Sequence, residues 1–339
     1  MEPIKVVYPK ATLVAHTPEP EKVVAFAAKL CYSNTEPDKI WESLTDEEVS
    51  RYLSHLEGYG HESPIEHASF TFLITDMTRS CLAQITRHRI ASFSVQSQRY
   101  INFSDFQVGV PEYIEYPLHH KLINKDSPFS NYTGGKMQFR IDDAFVNAIA
   151  ESKKDYILIR DRILFMLLSY FICENTDELF GDQDYIKIPE NEEHMPYYAT
   201  LEKKWYSEGY PYINPESDFM NYEENDQINI YKILFMGNDK FKKAFNKYSK
   251  IANENARAVL PNACTCNMVI TMNARELRHF FTLRCCNRAQ AEIRNIAWQM
   301  LTQCKEVAPT LFANAGPGCI RGGCTEGKMT CGDPYKKDE

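Results

Sequence analysis

No hydrophobic run in this 339-residue chain is long enough to span a bilayer. The longest, Ile163 to Cys173, is interrupted by Ser169 and Tyr170. Met1 is not followed by a basic and then apolar stretch, so no secretory leader is expected. The expected location is the cytoplasm, with no membrane partner. Positive charge is in deficit: the net charge of -8 argues against the basic face that nucleic acid requires. No P-loop is present. Gly58-Tyr59-Gly60 is only a fragment of a dinucleotide fingerprint, and it follows a helical pattern rather than a strand. It reads as a helix stop. Paired Cys-x-x-Cys spacing is also missing. The eleven cysteines are an odd number in a long chain without a leader, so reduced thiols are expected rather than a disulfide framework.

What is present suffices for a large core. Hydrophobic residues make up 44% and charged residues 25%, as in ordinary globular proteins. One domain over 1–339 is expected, with a partly helical insertion at 117–226, where Tyr, Asn, Asp, Glu, Pro and turn signals crowd together. Apolar spacing predicts helices over Glu19 to Cys31, Ile141 to Cys173, Lys240 to Asn253, Asn273 to Leu283 and Ala289 to Val307. Thr45 with Glu48 reads as a capping box opening a helix toward Leu56, which Gly58 and Gly60 stop. Thr78 to Arg87 reads as a short helix. Phe70, Phe72 and Ile74 alternate with Ser69, Thr71 and Leu73, predicting a strand over Ala68 to Ile74, and Met268 to Met272 is a second.

Three clusters carry candidate chemistry. Arg87-His88-Arg89 is followed by Ser97-Gln98-Arg99, which makes a dense anion-recognition set, since guanidinium stays charged and binds phosphate bidentately. The bland alternative is a solvated basic helix end. Gly60-His61-Glu62-Ser63-Pro64-Ile65-Glu66-His67 combines imidazoles and carboxylates, suited to metal binding or acid–base work; Ser63 with Glu66 reads equally as a capping box. The third cluster is Asn255-Ala256-Arg257, Asn273-Ala274-Arg275, Arg284 and Arg288. Arg284, Arg288 and Glu292 fall at four-residue spacing, which alone reads as a surface ion-pair ladder. Arg284 follows Phe280, Phe281 and Leu283, so a half-buried guanidinium needing an anionic or carbonyl partner is expected there. Cys285 and Cys286 read as core cysteines.

The signature Arg87-His88-Arg89, seven residues, then Ser97 resembles that of the flavin-dependent thymidylate synthases. Blocks at His61 to Phe72, Asn255 to Pro261 and Thr271 to Glu292 agree in order. The resemblance implies an α+β fold, with a central mostly antiparallel sheet flanked by long helices, and a homotetramer. It implies FAD as cofactor, with NADPH and methylenetetrahydrofolate as co-substrates, and reductive methylation of dUMP to dTMP. FAD contacts are implied for His61, Ser63, Glu66, Arg87, His88, Arg89, Ile90, Asn273, Arg275, His279 and Arg288. Nucleotide contacts are implied for Gln84, Gln96, Ser97, Gln98, Arg99, Arg257 and Arg284, with Arg284 as the catalytic group. His279 and Arg288 depart from the common Asn and His. No Cys stands between Pro and His, the nucleophile's setting in the folate-only thymidylate synthases. A flavoprotein without turnover is the competing reading, but it would lose Arg284 or Gln84. A small RNA-binding protein conflicts with the net charge.

The Gly-rich tail from Gly316 carries Cys319, Cys324 and Cys331. Three thiolates with Cys304 as a fourth would suit zinc, but the spacing lacks paired cysteines and no metal site is assigned. A loose tail of reduced thiols is the alternative.

Overall fold

The computed structural model describes residues 5–110, 136–180 and 224–335. Most of the 117–226 stretch lies outside these residues. The chain divides into two compact units, one made of 1–96, 107–146 and 262–339, the other of 97–106 and 147–261.

The first unit is built on a four-stranded antiparallel sheet. Its strands are β1 (Lys10–His16), β2 (Ser69–Thr78), β3 (Ser92–Val95) and β4 (Thr265–Asn273), in the order β1-β2-β4-β3. The period-two pattern sets the register: Phe72 lies opposite Leu13 and Ile270. Phe70, Phe72 and Ile74 are fully buried on one face with Met268, Ile270 and Met272, and each is worth roughly 1.5–3 kcal/mol of apolar burial. On the opposite face the Thr71 and Thr271 hydroxyls meet at 2.9 Å. β2 runs beyond the expected Ile74, across a bulge where Asp76 adopts φ 58° and its N–H donates to Asn267 Oδ1 at 3.0 Å.

Helices α1 (Pro20–Leu30), α2 (Pro37–Ser43), α3 (Asp46–Tyr59) and α4 (Arg79–Ile85) surround β1 and β2 in sequence. The Thr45 hydroxyl accepts from Glu48 N–H at 3.3 Å, as the cap requires. Glu48 faces Lys29 and Arg51 rather than returning to Thr45. Gly58 lies inside α3 and does not stop it. Gly60 does: its φ of +67° lets His61 N–H reach Leu56 C=O at 3.1 Å, a Schellman closure.

The second unit holds most of α5 (Lys136–Glu174), then α6 (Thr176–Phe180), α7 (Glu224–Phe235) and α8 (Asp239–Ala256). Its core joins Leu164, Leu168 and Ile172 to Tyr231, Phe235 and Phe241. Asn238 caps α8 through Lys240 and Phe241 N–H. Back in the first unit, α9 (Ala274–Arg284) and α10 (Ala291–Val307) place Leu277, Phe280, Phe281, Ile293, Ile296 and Met300 in the same core as the sheet. The fold is α+β, as expected. Among the described residues no helix is long and apolar enough to cross a membrane.

Candidate active site

The turn after α4 and the exposed end of α9 come together around one buried imidazole. Thr78 caps α4 by accepting from Cys81 N–H at 3.1 Å, and its own N–H and hydroxyl donate to the Glu292 carboxylate at 2.7 and 2.5 Å. Burial raises the Glu292 pKa, and those two hydrogen bonds oppose the rise. This fixes the direction in which α4 delivers Gln84, Arg87, His88 and Arg89.

His88 is 6% exposed. Arg284 Nε donates to His88 Nε2 at 3.1 Å, and His88 Nδ1 lies 3.3 Å from Glu276 Oε1. An arginine N–H can only donate, so Nε2 must be the acceptor and the ring proton must sit on Nδ1, donating to Glu276. Burial first, then the Arg284 charge and His279, lower the His88 pKa to about 4. The ring is therefore neutral at neutral pH, and its contact with Glu276 is a hydrogen bond rather than an ion pair. Phe280 packs edge-on to it, with centroids 4.8 Å apart.

Arg284 is half-buried, as its apolar surroundings predict. Its Nη2 donates to Gln84 C=O at 3.5 Å. Burial, then the Arg87 charge, press its pKa downward. Among the described residues no carboxylate pairs with it directly: its two close partners are a neutral ring and a carbonyl, and Glu276 lies on the far side of that ring. The Gln84 side chain donates to Gln290. Glu276 escaped the sequence reading, although a signal existed. Glu276, Phe280 and Arg284 share one face of α9 at four-residue spacing.

The ladder of Arg284, Arg288 and Glu292 does not form. α9 ends at Arg284, and Arg294 Nη1 closes the following turn by donating to Asn287 and Ala289 carbonyls at 3.1 and 3.4 Å. Arg288 is exposed and Glu292 belongs to Thr78. Cys285 is core, its thiol pushed up by burial, whereas Cys286 is half-exposed at the turn.

The His61 to His67 segment is a short 3-10 turn, Pro64–His67, and the Ser63 side chain makes no cap hydrogen bond. The capping-box reading of Ser63 fails because no α-helix follows it. Glu62 and Glu66 instead grip Arg275, with Glu62 Oε2 accepting from Nε at 3.0 Å and Glu66 from Nη1. Asn273 caps α9 by accepting from Glu276 N–H at 2.8 Å. His61, Ser63, His279, Arg87, Arg89 and Ile90 are exposed. Among the described residues Arg87, Arg89 and Arg288 have no carboxylate partner. Gln96 pairs with Asn267, its N–H donating to the carbonyl at 2.9 Å and its Oε1 accepting from N–H at 3.2 Å.

The remaining predicted residues lie in the second unit. Ser97 Oγ accepts from Arg99 N–H at 3.2 Å, making a tight turn that also carries Gln98. Arg99 Nε donates to Glu254 Oε2 at 2.9 Å, and Asn253 Nδ2 donates to Arg99 C=O at 3.4 Å, which ties this loop to α8. Arg257 is exposed at the end of α8, three residues beyond Glu254.

Comparison with known proteins gives a consistent answer. The family model described as thymidylate synthase complementing protein matches residues 12–310. A flavin-dependent thymidylate synthase of Clostridium tetani is 37% identical over 323 residues, covering 95% of this chain and 93% of that protein. One from Geobacter sulfurreducens is 33% identical, covering 95% and 94%. A crystal structure of a UMP/dUMP methylase, PolB from Streptomyces cacaoi bound with 5-Br dUMP, aligns with a TM-score of 0.51 at 17% identity. It covers 91% of this chain and 95% of its own; at that identity the likeness concerns the fold. With the family model spanning most of the chain and near-full-length relatives above 30% identity, this chain belongs to the flavin-dependent thymidylate synthases.

Proposed function

We propose that this chain converts dUMP to dTMP, taking the carbon from methylenetetrahydrofolate and regenerating tetrahydrofolate. The observation that carries the reading is the half-buried Arg284, held by a neutral His88 and a backbone carbonyl instead of a carboxylate. A guanidinium so placed keeps its charge for a substrate anion. C5 of uracil becomes nucleophilic when negative charge is drawn toward the ring carbonyls, and preorganised positive charge at a developing anion is worth on the order of 2.7–4 kcal/mol. Glu276 holds the ring tautomer that presents Nε2 to Arg284.

FAD fits the donor set of the first unit. Arg87, Arg89 and Arg288 offer guanidinia to a pyrophosphate, with the Arg87–His88–Arg89 turn and Ile90 exposed beside them. His61, Ser63, Glu66, Asn273, Arg275 and His279 complete the assigned flavin set. FAD held by these residues and reduced by NADPH would supply the hydride that completes the methyl group. Arg275 needs no new partner to be positioned, since Glu62 and Glu66 already fix it. Gln84, Gln96, Ser97, Gln98, Arg99, Arg257 and Arg284 would contact the nucleotide, with Arg284 on the uracil side and Arg257, Arg99 and the backbone near Ser97 at the phosphate. We assign Ser97 a binding role, because its Oγ is engaged by Arg99 N–H and a hydroxyl without a base is a weak nucleophile. A homotetramer in the cytoplasm completes the reading.

The test is direct. The purified protein should show flavin absorbance that changes on adding dUMP. Tritium should leave C5-labelled dUMP only with NADPH and methylenetetrahydrofolate both present. A colourless protein, or release of label independent of folate, would refute the assignment.

A further inference from the structure

The tail beyond α10 folds back on the turn between α9 and α10. Asn287 Nδ2 donates to Asp333 C=O at 2.9 Å, Arg321 Nη2 donates to the Thr282 hydroxyl at 2.7 Å, and the Tyr335 ring lies 5.1 Å from Trp298. A pocket forms there whose wall includes Cys286, Cys319, Cys324 and Cys331. Cys304, the fourth thiol suggested by sequence spacing, is instead sealed in the core on α10. Cys286 takes its place, from a part of the chain more than thirty residues upstream of the tail.

We infer that Cys286, Cys319, Cys324 and Cys331 form a tetrathiolate zinc site that fastens the tail to the turn following Arg284. Four observations support it. The four thiols share one pocket although Cys286 lies more than thirty residues upstream of the other three. Two of them already accept backbone N–H bonds from the residue two positions on: Arg288 N–H to Cys286 Sγ at 3.5 Å, and Asp333 N–H to Cys331 Sγ at 3.4 Å. Amide N–H groups turned toward these two sulfurs are partners a metal-bound sulfur would keep, while the Cys331 thiol also donates to Asp333 C=O at 3.3 Å. The turn after Cys331 needs Gly332, whose φ is +75°, so the backbone there is shaped to wrap the sulfur rather than to continue a regular element. Finally, the tail from Gly318 to Asp333 is mostly exposed, so hydrophobic burial gives it little order of its own. A metal crosslink supplies what that segment lacks.

The thiols do not yet stand in coordinating geometry: among the described residues no group of three or more His, Cys, Asp or Glu side chains is arranged to hold an ion. Three of the four lie on the tail and all are at least partly exposed, so rotation about their side-chain bonds can turn them into the pocket. Closure on the ion is part of the inference, since such sites rarely exist before the metal arrives. Binding deprotonates four thiols and releases their protons to water; no electron is transferred. Four sulfurs and no oxygen ligand select zinc over the harder divalent cations.

The test uses the full-length protein purified without chelator. Elemental analysis should find one zinc per chain, and Cys324→Ser and Cys331→Ser should each lose it, while Cys31→Ser, at an exposed cysteine at the end of α1, keeps it. Flavin content should be unchanged in all three. If the serine variants do not fold, cobalt exchange into the wild type should give the visible bands of tetrahedral thiolate coordination. Zinc far below one per chain, iron with inorganic sulfide in its place, a disulfide among these four residues by mass, or zinc retained in both serine variants would each overturn the inference. None of these outcomes bears on dUMP methylation, so the two readings fail separately.

Discussion

Acidification should unseat His88 before it reaches the rest of the core. The imidazole binds a proton near 6.5 in an unfolded chain and near 4 in the folded one, because burial and the Arg284 charge oppose protonation. The unfolded state therefore holds more protons between those values, and stability falls as pH falls through that window. It is fully present above about 6.5 and is lost progressively toward 4. Between pH 7 and pH 4 the loss from this one group is about 3 kcal/mol. Carboxylates titrate over the same range, so the measurement is a difference. His88→Gln keeps an acceptor for Arg284 and a donor for Glu276 but cannot titrate. Urea unfolding of both proteins at several pH values, followed by fluorescence, gives the stability gap at each. The gap between wild type and variant should move by roughly 3 kcal/mol in the variant's favour from pH 7 to pH 4. A gap that stays constant within about 1 kcal/mol would mean His88 is not held neutral, and the tautomer assigned to it would fall.

Other perturbations separate the remaining roles. Arg284→Ala should leave a folded, flavin-containing protein whose dTMP formation drops by about 10²–10³-fold, the effect of losing one preorganised donor; near-normal turnover would end its catalytic assignment. Ser97→Ala should keep measurable turnover, since what it loses is an acceptor for Arg99 N–H; complete loss with dUMP affinity and flavin intact would point to chemistry at the hydroxyl. Gly60→Ala should cost roughly 1–2 kcal/mol in urea unfolding from its left-handed φ alone. No atom lies within 4 Å of the added methyl, so a much larger loss would contradict the open surroundings of that turn. Phe280→Ala, buried against the sheet and His88, should cost about 3–5 kcal/mol in the same assay.

Local chemistry made much of this protein legible from sequence. Alternation at Phe70, Phe72 and Ile74 dictates which face of β2 is buried, because strand side chains have period two. Helical spacing and caps gave α1, α3, α8, α9 and α10 to within a few residues. The Arg87-His88-Arg89 and Ser97 spacing identified the family before any contact was known. Tertiary structure decided what spacing cannot encode. Four-residue periodicity from Arg284 to Glu292 looked continuous, yet Arg294 closes a turn there and Glu292 turns to Thr78, more than two hundred residues away in sequence. Glu276 reads as a first-turn acid at a helix start; only packing against His88 turns it inward and makes it the partner that sets a tautomer. Cys286 reads as core beside Cys285, and only the return of the tail puts it among Cys319, Cys324 and Cys331. Periodicity reports which way a side chain faces relative to its own backbone. Which distant group meets it there is decided by long-range packing, and that is where the charge state of His88, the environment of Arg284 and the grouping of the four thiols are set.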